Sequence, residues 1–246
     1  KCGQAKERAR VDPAVRTTIR YTPMHIQRAA DVTYKSEIKL YGRSPVEPVW
    51  AAESEALGLN SVFSVDSAEV AADLGKESLL LYGEAYNYSP EMSPPTPNVA
   101  MPIHMHFSSK DGSMFGHLAS FFIFGAPRSV QRGEFYYENF PCAMVNQDHR
   151  LSIYVINPFV RTGRFWVRLI ARSDVIWESE PVTLKGKGVA EWNCEGSGCP
   201  EFDGPVGVVV KSDLKASSIF ATRAGDGKMV GLDHGHPFLQ QVLDHR

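Results

Sequence analysis

The sequence predicts an all-β protein, an antiparallel β-sandwich carrying one or two short helices and a basic N-terminal arm. Apolar residues recur with a period of two over most of the chain, and Gly, Pro and Asn interrupt them at short, regular intervals. Length and composition agree. The chain has 246 residues, 43% of them apolar and 22% charged, which is the composition of a globular protein able to bury a sizeable core.

In chain order, the first predicted strand is Thr33–Tyr41, followed by Ser78–Tyr86 and His117–Phe124. Seven more follow at 134–140, 151–156, 164–171, 175–178, 188–192, 206–211 and 217–222, divided by Asn157-Pro158, Arg161-Thr162-Gly163 and Lys185-Gly186-Lys187-Gly188. Only Val49–Leu57 and Ser67–Leu74 read as helical, and both are acidic. Asp66 or Ser67 is placed to cap the second, and Gly75 to end it. Ser89 to Asn98 holds four prolines, which cannot pair inside a sheet and favour extended geometry. The predicted organisation is therefore an arm over 1–30, a sandwich over 31–222 and a C-terminal tail over 223–246. The stretch 89–100 is the point where the sandwich would split into two β modules. The architecture is Ig-like or jelly-roll-like by analogy only, because Cys142, Trp166 and Cys194 are spaced wrongly for an inter-sheet bridge around a tryptophan.

A formal charge of −2 removes the electrostatic case for a nucleic-acid binder. The distribution is uneven, however. Residues 1–28 carry Lys1, Lys6, Arg8, Arg10, Arg16, Arg20 and Arg28 against Glu7 and Asp12, while 47–84 hold eight carboxylates against Lys76. Such an arm suits an acidic protein neighbour, an anionic membrane surface or its own acidic module. No run of apolar residues approaches the ~18 that a membrane helix needs.

Cys194 and Cys199 enclose Glu-Gly-Ser-Gly, a loop flexible enough to bring two sulfurs to bonding distance. A small disulfide is the expectation, and with it an oxidising compartment: periplasm, cell surface or medium. A zinc site would need further ligands at similar spacing, and Cys2 and Cys142 are remote. Residues 1–24 contain no apolar signal core, as in a mature form, and Lys1 is the wrong residue before a lipidated Cys2.

The strongest chemical pattern is histidine with methionine. Met101-Pro102-Ile103-His104-Met105-His106 puts two imidazoles on one face of a strand and two thioethers on the other. His117 begins the next strand, and Asp233-His234-Gly235-His236 repeats the His-x-His spacing. Imidazoles in that number suit zinc or cupric copper, and thioethers suit cuprous copper. Two His-x-His pairs also fit an exposed strand with no metal.

Catalytic templates are missing: there is no nucleophile elbow, phosphate loop, dinucleotide fingerprint or His-Glu-x-x-His. Asn146 to His149 reads as a polar turn, and Glu134, Glu138, Glu178, Glu180 and Glu191 sit on or beside strands without a measurable carboxylate separation. Aromatic residues cluster at Tyr86 and Tyr88, at Phe135-Tyr136-Tyr137 with Phe140, and at Phe165-Trp166. Tyr86, Tyr88, Tyr136 and Phe140 are candidates for a partner surface, whereas consecutive aromatics equally describe a strand covered on both faces. The expectation is a non-catalytic, extracytoplasmic binding or assembly subunit of a cell-envelope or larger protein complex, without cofactor. The alternatives are a periplasmic or secreted copper or zinc protein using His104, His106, His117, His234 and His236, and a carbohydrate-binding module.

Overall fold

The computed structural model describes residues 15–21, 35–42, 44–57, 61–76, 80–88, 103–109, 115–119, 135–202, 204–225, 229–234 and 237–238. These residues are mostly β-strand in antiparallel sheets with a single α-helix among them, the all-β class that the two-residue period predicts. No described helix is long and apolar enough to cross a membrane. Two compact units divide the chain: Lys1–Leu40 with Trp50–Ser120, and Tyr41–Val49 with Phe121–Arg246. The Pro-rich run Ser89 to Asn98 falls within the span of the first unit and outside the described residues.

The first sheet of unit one runs β4-β1-β6-β7, from β1 (Val15–Tyr21), β4 (Phe63–Asp66), β6 (Ile103–Ser109) and β7 (Phe115–Ala119). The second runs β3-β2-β5, from β2 (Lys35–Tyr41), β3 (Pro48–Glu53) and β5 (Tyr82–Tyr88), with Tyr41, Pro48 and Val49 grouping with unit two. Within the segment read as a basic arm, β1 is an interior strand, paired on one side by β4 and on the other by β6. The helix expected over Val49–Leu57 is instead strand β3. Helix propensity differs among ordinary residues by only tenths of a kcal/mol, and pairing with β2 overrides it. Lys35 Nζ bridges Glu53 at 2.6 Å, Ser54 N–H donates to Ser36 O at 2.8 Å, and Ser36 N–H donates to Ser54 Oγ at 2.9 Å.

The second expected helix forms as α1 (Ser67–Asp73). Asp66 Oδ1 accepts from Ala68 N–H at 2.9 Å, satisfying one of the free donors of the first turn. The chain leaves the helix through Gly75 at φ +62°, a left-handed conformation that favours glycine. Val70 on α1 joins Ile38 and Leu40 of β2 and Val65 of β4 in the core of this unit.

Unit two contains β8 (Tyr136–Met144), β9 (His149–Asn157), β10 (Gly163–Ala171), β11 (Asp174–Glu178), β12 (Val182–Leu184) and β13 (Gly188–Asn193). It continues with β14 (Pro205–Ser212), β15 (Ser217–Ala224), β16 (Met229–His234) and β17 (Pro237–Phe238). One sheet is ordered β11-β10-β14-β8-β17, with β12 also on β10; the other is β13-β9-β15-β16. Two strands, β16 and β17, thus occupy part of the segment read as a tail. Alternation fixes which residues go inward. Phe165, Val167 and Leu169 on β10, Val208 on β14, and Ile153 and Val155 on β9 are 0% exposed, and both sheets feed the same core cluster. Burial contributes about 1.5–3 kcal/mol for each such side chain.

On the opposite face of β14, Lys211 is buried because aromatic rings cover it. Its Nζ lies 4.1 Å from the Phe135 ring centroid and 5.4 Å from that of Trp166, an arrangement worth about 0.5–2 kcal/mol. At the end of the same sheet, β11 leaves Val175 and Ile176 exposed.

Two loop features carry stability. Asn157, fully buried, donates from Nδ2 to Arg161 O at 2.8 Å and Lys185 O at 2.9 Å, and accepts Phe159 N–H at 2.9 Å. Replacing it with Ala leaves buried backbone groups unpaired, at ~1–3 kcal/mol, so the urea midpoint of Asn157→Ala falls well below that of the parent. The two-residue turn between β10 and β11 holds Arg172 and Ser173 at φ 52° and 78°, the signs of a type I′ turn that prefers Gly at its second position. Ser173→Gly therefore raises stability by roughly 0.5–1 kcal/mol, read as a higher midpoint in the same titration.

Candidate functional site

Backbone register assembles a polar face on the sheet β4-β1-β6-β7. His106 pairs directly with His117 across β6 and β7, and His104 pairs with Ala119. On the other side of β6, Thr18 faces His106 and Arg20 faces His104, while β4 sets Asp66 against Thr18 and Ser64 against Arg20. Since side-chain direction alternates along a strand, His104, His106 and His117 occupy one face together with Arg16, Thr18, Arg20 and Ser108. The intervening positions are Ile19, Ile103, Met105, Phe107 and Leu118, in rows that continue to Val65. Val65, in the row of Ile19, belongs to the core of this unit.

The second His-x-His pair belongs to the other unit. His234 ends β16 opposite Ile219 of β15, and His236 lies outside the described residues. Among the aromatic candidates, Tyr86 and Tyr88 lie two residues apart on β5. Tyr136 and Phe140 are a correction: Tyr136 is buried, and Phe140 is half-buried with its ring stacked on that of Phe220 at 4.8 Å. Tyr136, Tyr137 and Glu138 are buried in succession because β8 is covered on both faces, which is the other meaning of consecutive aromatics.

Asn146 to His149 is a turn. Asn146 Oδ1 accepts the backbone N–H groups of Asp148 at 3.0 Å and His149 at 2.9 Å, an arrangement that explains the polar cluster without catalysis. Of the strand carboxylates, Glu178 pairs with Arg168 and Glu191 faces Tyr154 across β13 and β9.

Cys194 and Cys199 lie within hydrogen-bonding reach of each other as thiols. A 3-10 turn over Cys194–Gly196 and Gly198 at φ +70° fold the loop back on itself. A hydrogen bond from the Cys199 thiol holds the proton affinity of Cys194 below the ordinary thiol range despite its burial, while the same contact and burial push Cys199 up. Cys142 is exposed and free, and Cys2 lies outside the described residues. No third ligand side chain joins Cys194 and Cys199 among the described residues.

One of the strand carboxylates named from the sequence has a setting that the sequence did not show. Glu138 is 3% exposed, and among the described residues neither its carboxyl oxygens nor the fully buried Ser218 Oγ on β15 has a hydrogen-bond partner by geometry. Desolvation pushes the Glu138 carboxyl up to about 8, and the nearby hydroxyl and backbone of Ser218 offset only part of that rise. The signal lay in the alternation Tyr136, Glu138, Phe140, which sets a carboxyl between two inward aromatics. Comparison of the chain with protein-family models, curated proteins and solved structures finds no match.

The thiol pair makes a direct prediction. Cys199→Ala removes the hydrogen bond that favours the Cys194 thiolate, so alkylation of Cys194 at fixed pH slows several-fold relative to the parent. Mass spectrometry of the peptide containing Cys194 measures this, with exposed Cys142 as the internal standard.

Proposed function

We propose that the chain is a non-catalytic binding protein of the periplasm, cell surface or medium that carries zinc or cupric copper on His104, His106 and His117. The observation that supports it is the register of β6 and β7, which sets His106 opposite His117 with His104 two residues along the same face. Directly paired positions in an antiparallel sheet are ~4.5–5.5 Å apart at Cβ, and two strand residues add ~7 Å. That triangle is of a size for three imidazoles to share one ion at ~2.0–2.1 Å per bond. Met105 falls between the two histidines in register with Leu118, and strand alternation takes it out of the histidine row, so imidazole defines the donor set, which favours zinc or cupric over cuprous ions. Arg20, in register with His104, opposes a dication by Coulomb repulsion and keeps the affinity moderate.

A protein partner is the second reading, and β11 favours it, because Val175 and Ile176 are exposed on a strand at the end of its sheet. In this reading unit two is a β-sandwich displaying that edge, and the basic segment 1–30 adds contacts to an acidic partner or an anionic membrane surface. Adjacent Cys194 and Cys199 would close as a disulfide in an oxidising compartment.

Elemental analysis of the full chain, purified without a His tag or chelator, tests the metal reading. About one zinc or copper ion per chain is expected, with at least tenfold weaker binding in His106→Ala and His117→Ala and tighter binding in Arg20→Ala. Saturating metal raises the unfolding free energy by about 2.7 kcal/mol at one hundred times Kd, and this shift disappears in the histidine variants. Metal-free protein whose melting temperature ignores added zinc and copper would refute the metal reading and leave the partner reading in place.

A further inference from the structure

The loop between β13 and β14 carries a chemistry that rests on neither the metal nor the partner reading. Its start is fixed by the 3-10 turn Cys194–Gly196 and by the ion pair of Glu195 Oε1 with Arg150 Nη1 at 2.7 Å. Its end is fixed where Phe202 N–H donates to Val145 O at 2.9 Å. Between these anchors Cys194 O accepts the N–H of Ser197 at 3.3 Å and its hydroxyl at 2.9 Å, which turns the chain back on itself. Cys194 is thereby seated in the core of unit two, with Cys199 and Phe202 packed against that core. The two thiols lie within hydrogen-bonding reach. Gly198 stands at φ +70°, and among the described residues nothing comes within 4 Å of the Cβ it lacks. The loop therefore has room to draw the sulfurs to the ~2.0 Å of a disulfide bond.

Proximity alone would give a structural cross-link, but the two sulfurs also differ in the way an exchange reaction requires. Thiol–disulfide exchange needs a thiolate to attack and a neighbouring thiol to resolve the mixed disulfide. The hydrogen bond from Cys199 favours the Cys194 thiolate, against its burial and against the charges of Glu195 and Glu201. Cys199 keeps its proton because that same contact, burial and the adjacent Cys194 charge all favour the neutral thiol. Once Cys194 is consumed in a mixed disulfide, its charge is gone and Cys199 is released to act as the second nucleophile. Metal coordination is the poorer use of the pair, since it demands both thiols deprotonated beside Glu195 and Glu201. Cys194 keeps only 8% exposure next to the half-buried Cys199, an opening that suits a slender reagent and not the disulfide of a folded protein.

We propose that Cys194 and Cys199 form a reversible exchange site for small organic disulfides, with Cys194 as the attacking sulfur and Cys199 as the resolving one. The Cys194 thiolate attacks one sulfur of R–S–S–R, forming Cys194–S–S–R and expelling RS⁻. That leaving group takes the Cys199 proton and departs as RSH. The Cys199 thiolate then attacks the Cys194 sulfur, forming the Cys194–Cys199 bond and expelling the second RS⁻, which takes a proton from water. The two cysteines are oxidised and the small disulfide is reduced to two thiols. Run in reverse, a small thiol reopens the pair.

Oxidised glutathione added to the reduced full chain, with each cysteine followed by peptide mass spectrometry, tests the site. The parent should gain the Cys194–Cys199 disulfide at least tenfold faster than exposed Cys142 gains a glutathione adduct, and excess reduced glutathione should reopen it. Cys199→Ala should stop after the first step and accumulate one glutathione adduct on Cys194, while Cys194→Ala should leave Cys199 unmodified over the same period. A Cys194–Cys199 disulfide that forms no faster than the Cys142 adduct would overturn the proposal, and this comparison needs no variant to fold. So would a disulfide that excess reduced glutathione fails to reopen, which would make the cross-link purely structural. A rapid adduct on Cys199 in Cys194→Ala would overturn the assigned order of attack.

Discussion

The inward rows of β9, β10 and β14 are the constraint on which unit two depends. Each strand must send alternate residues into one shared interior, and the fully buried Phe165, Val167, Leu169, Ile153, Val155 and Val208 set the register of everything around them. A slip of one residue on any of these strands would turn its apolar row to the other face. The loops are therefore held as firmly as the strands: Asn157 ties its own turn to the carbonyl of Lys185, and Asp213 Oδ1 accepts the N–H of Arg164 at 2.7 Å.

Where one face was buried, the sequence was easy to read. Arg164–Ala171 alternates clearly, and the strand found there differs by one residue at its start. Helix α1 was legible from Asp66 and Gly75 because capping chemistry is local. β3 was not, since Ala51, Ala52 and Glu53 suit a helix and only the remote Lys35 and Ser36 draw them into a sheet. Likewise, no local signal showed that Arg16 and Arg20 lie on an interior strand, because that depends on β4 and β6, far along the chain.

The candidate sites divide on the same principle. His104 and His106 share a face by simple alternation, so that part was visible at once. The meeting of His106 with His117 depends on the register of β6 with β7, which alternation alone leaves open. Tyr136 and Phe140 looked like contact residues because aromatics crowd that strand, but crowding there reflects cover on both faces. Glu138 was visible as a strand carboxylate, but its burial depends on the strands packed against β8, which alternation alone does not place.

The exposed strand β11 has a bearing on self-association. Its five residues place Asp174 and Glu178 at the two ends, with Val175 and Ile176 between them. If two copies met edge to edge and antiparallel about Ile176, each Asp174 would stand opposite a Glu178, and like charges directly opposed across a sheet are destabilising. The same ends would welcome a strand bearing lysine or arginine. Terminal carboxylates thus act as gatekeepers against aggregation through an otherwise adhesive edge, while leaving it open to a basic visitor.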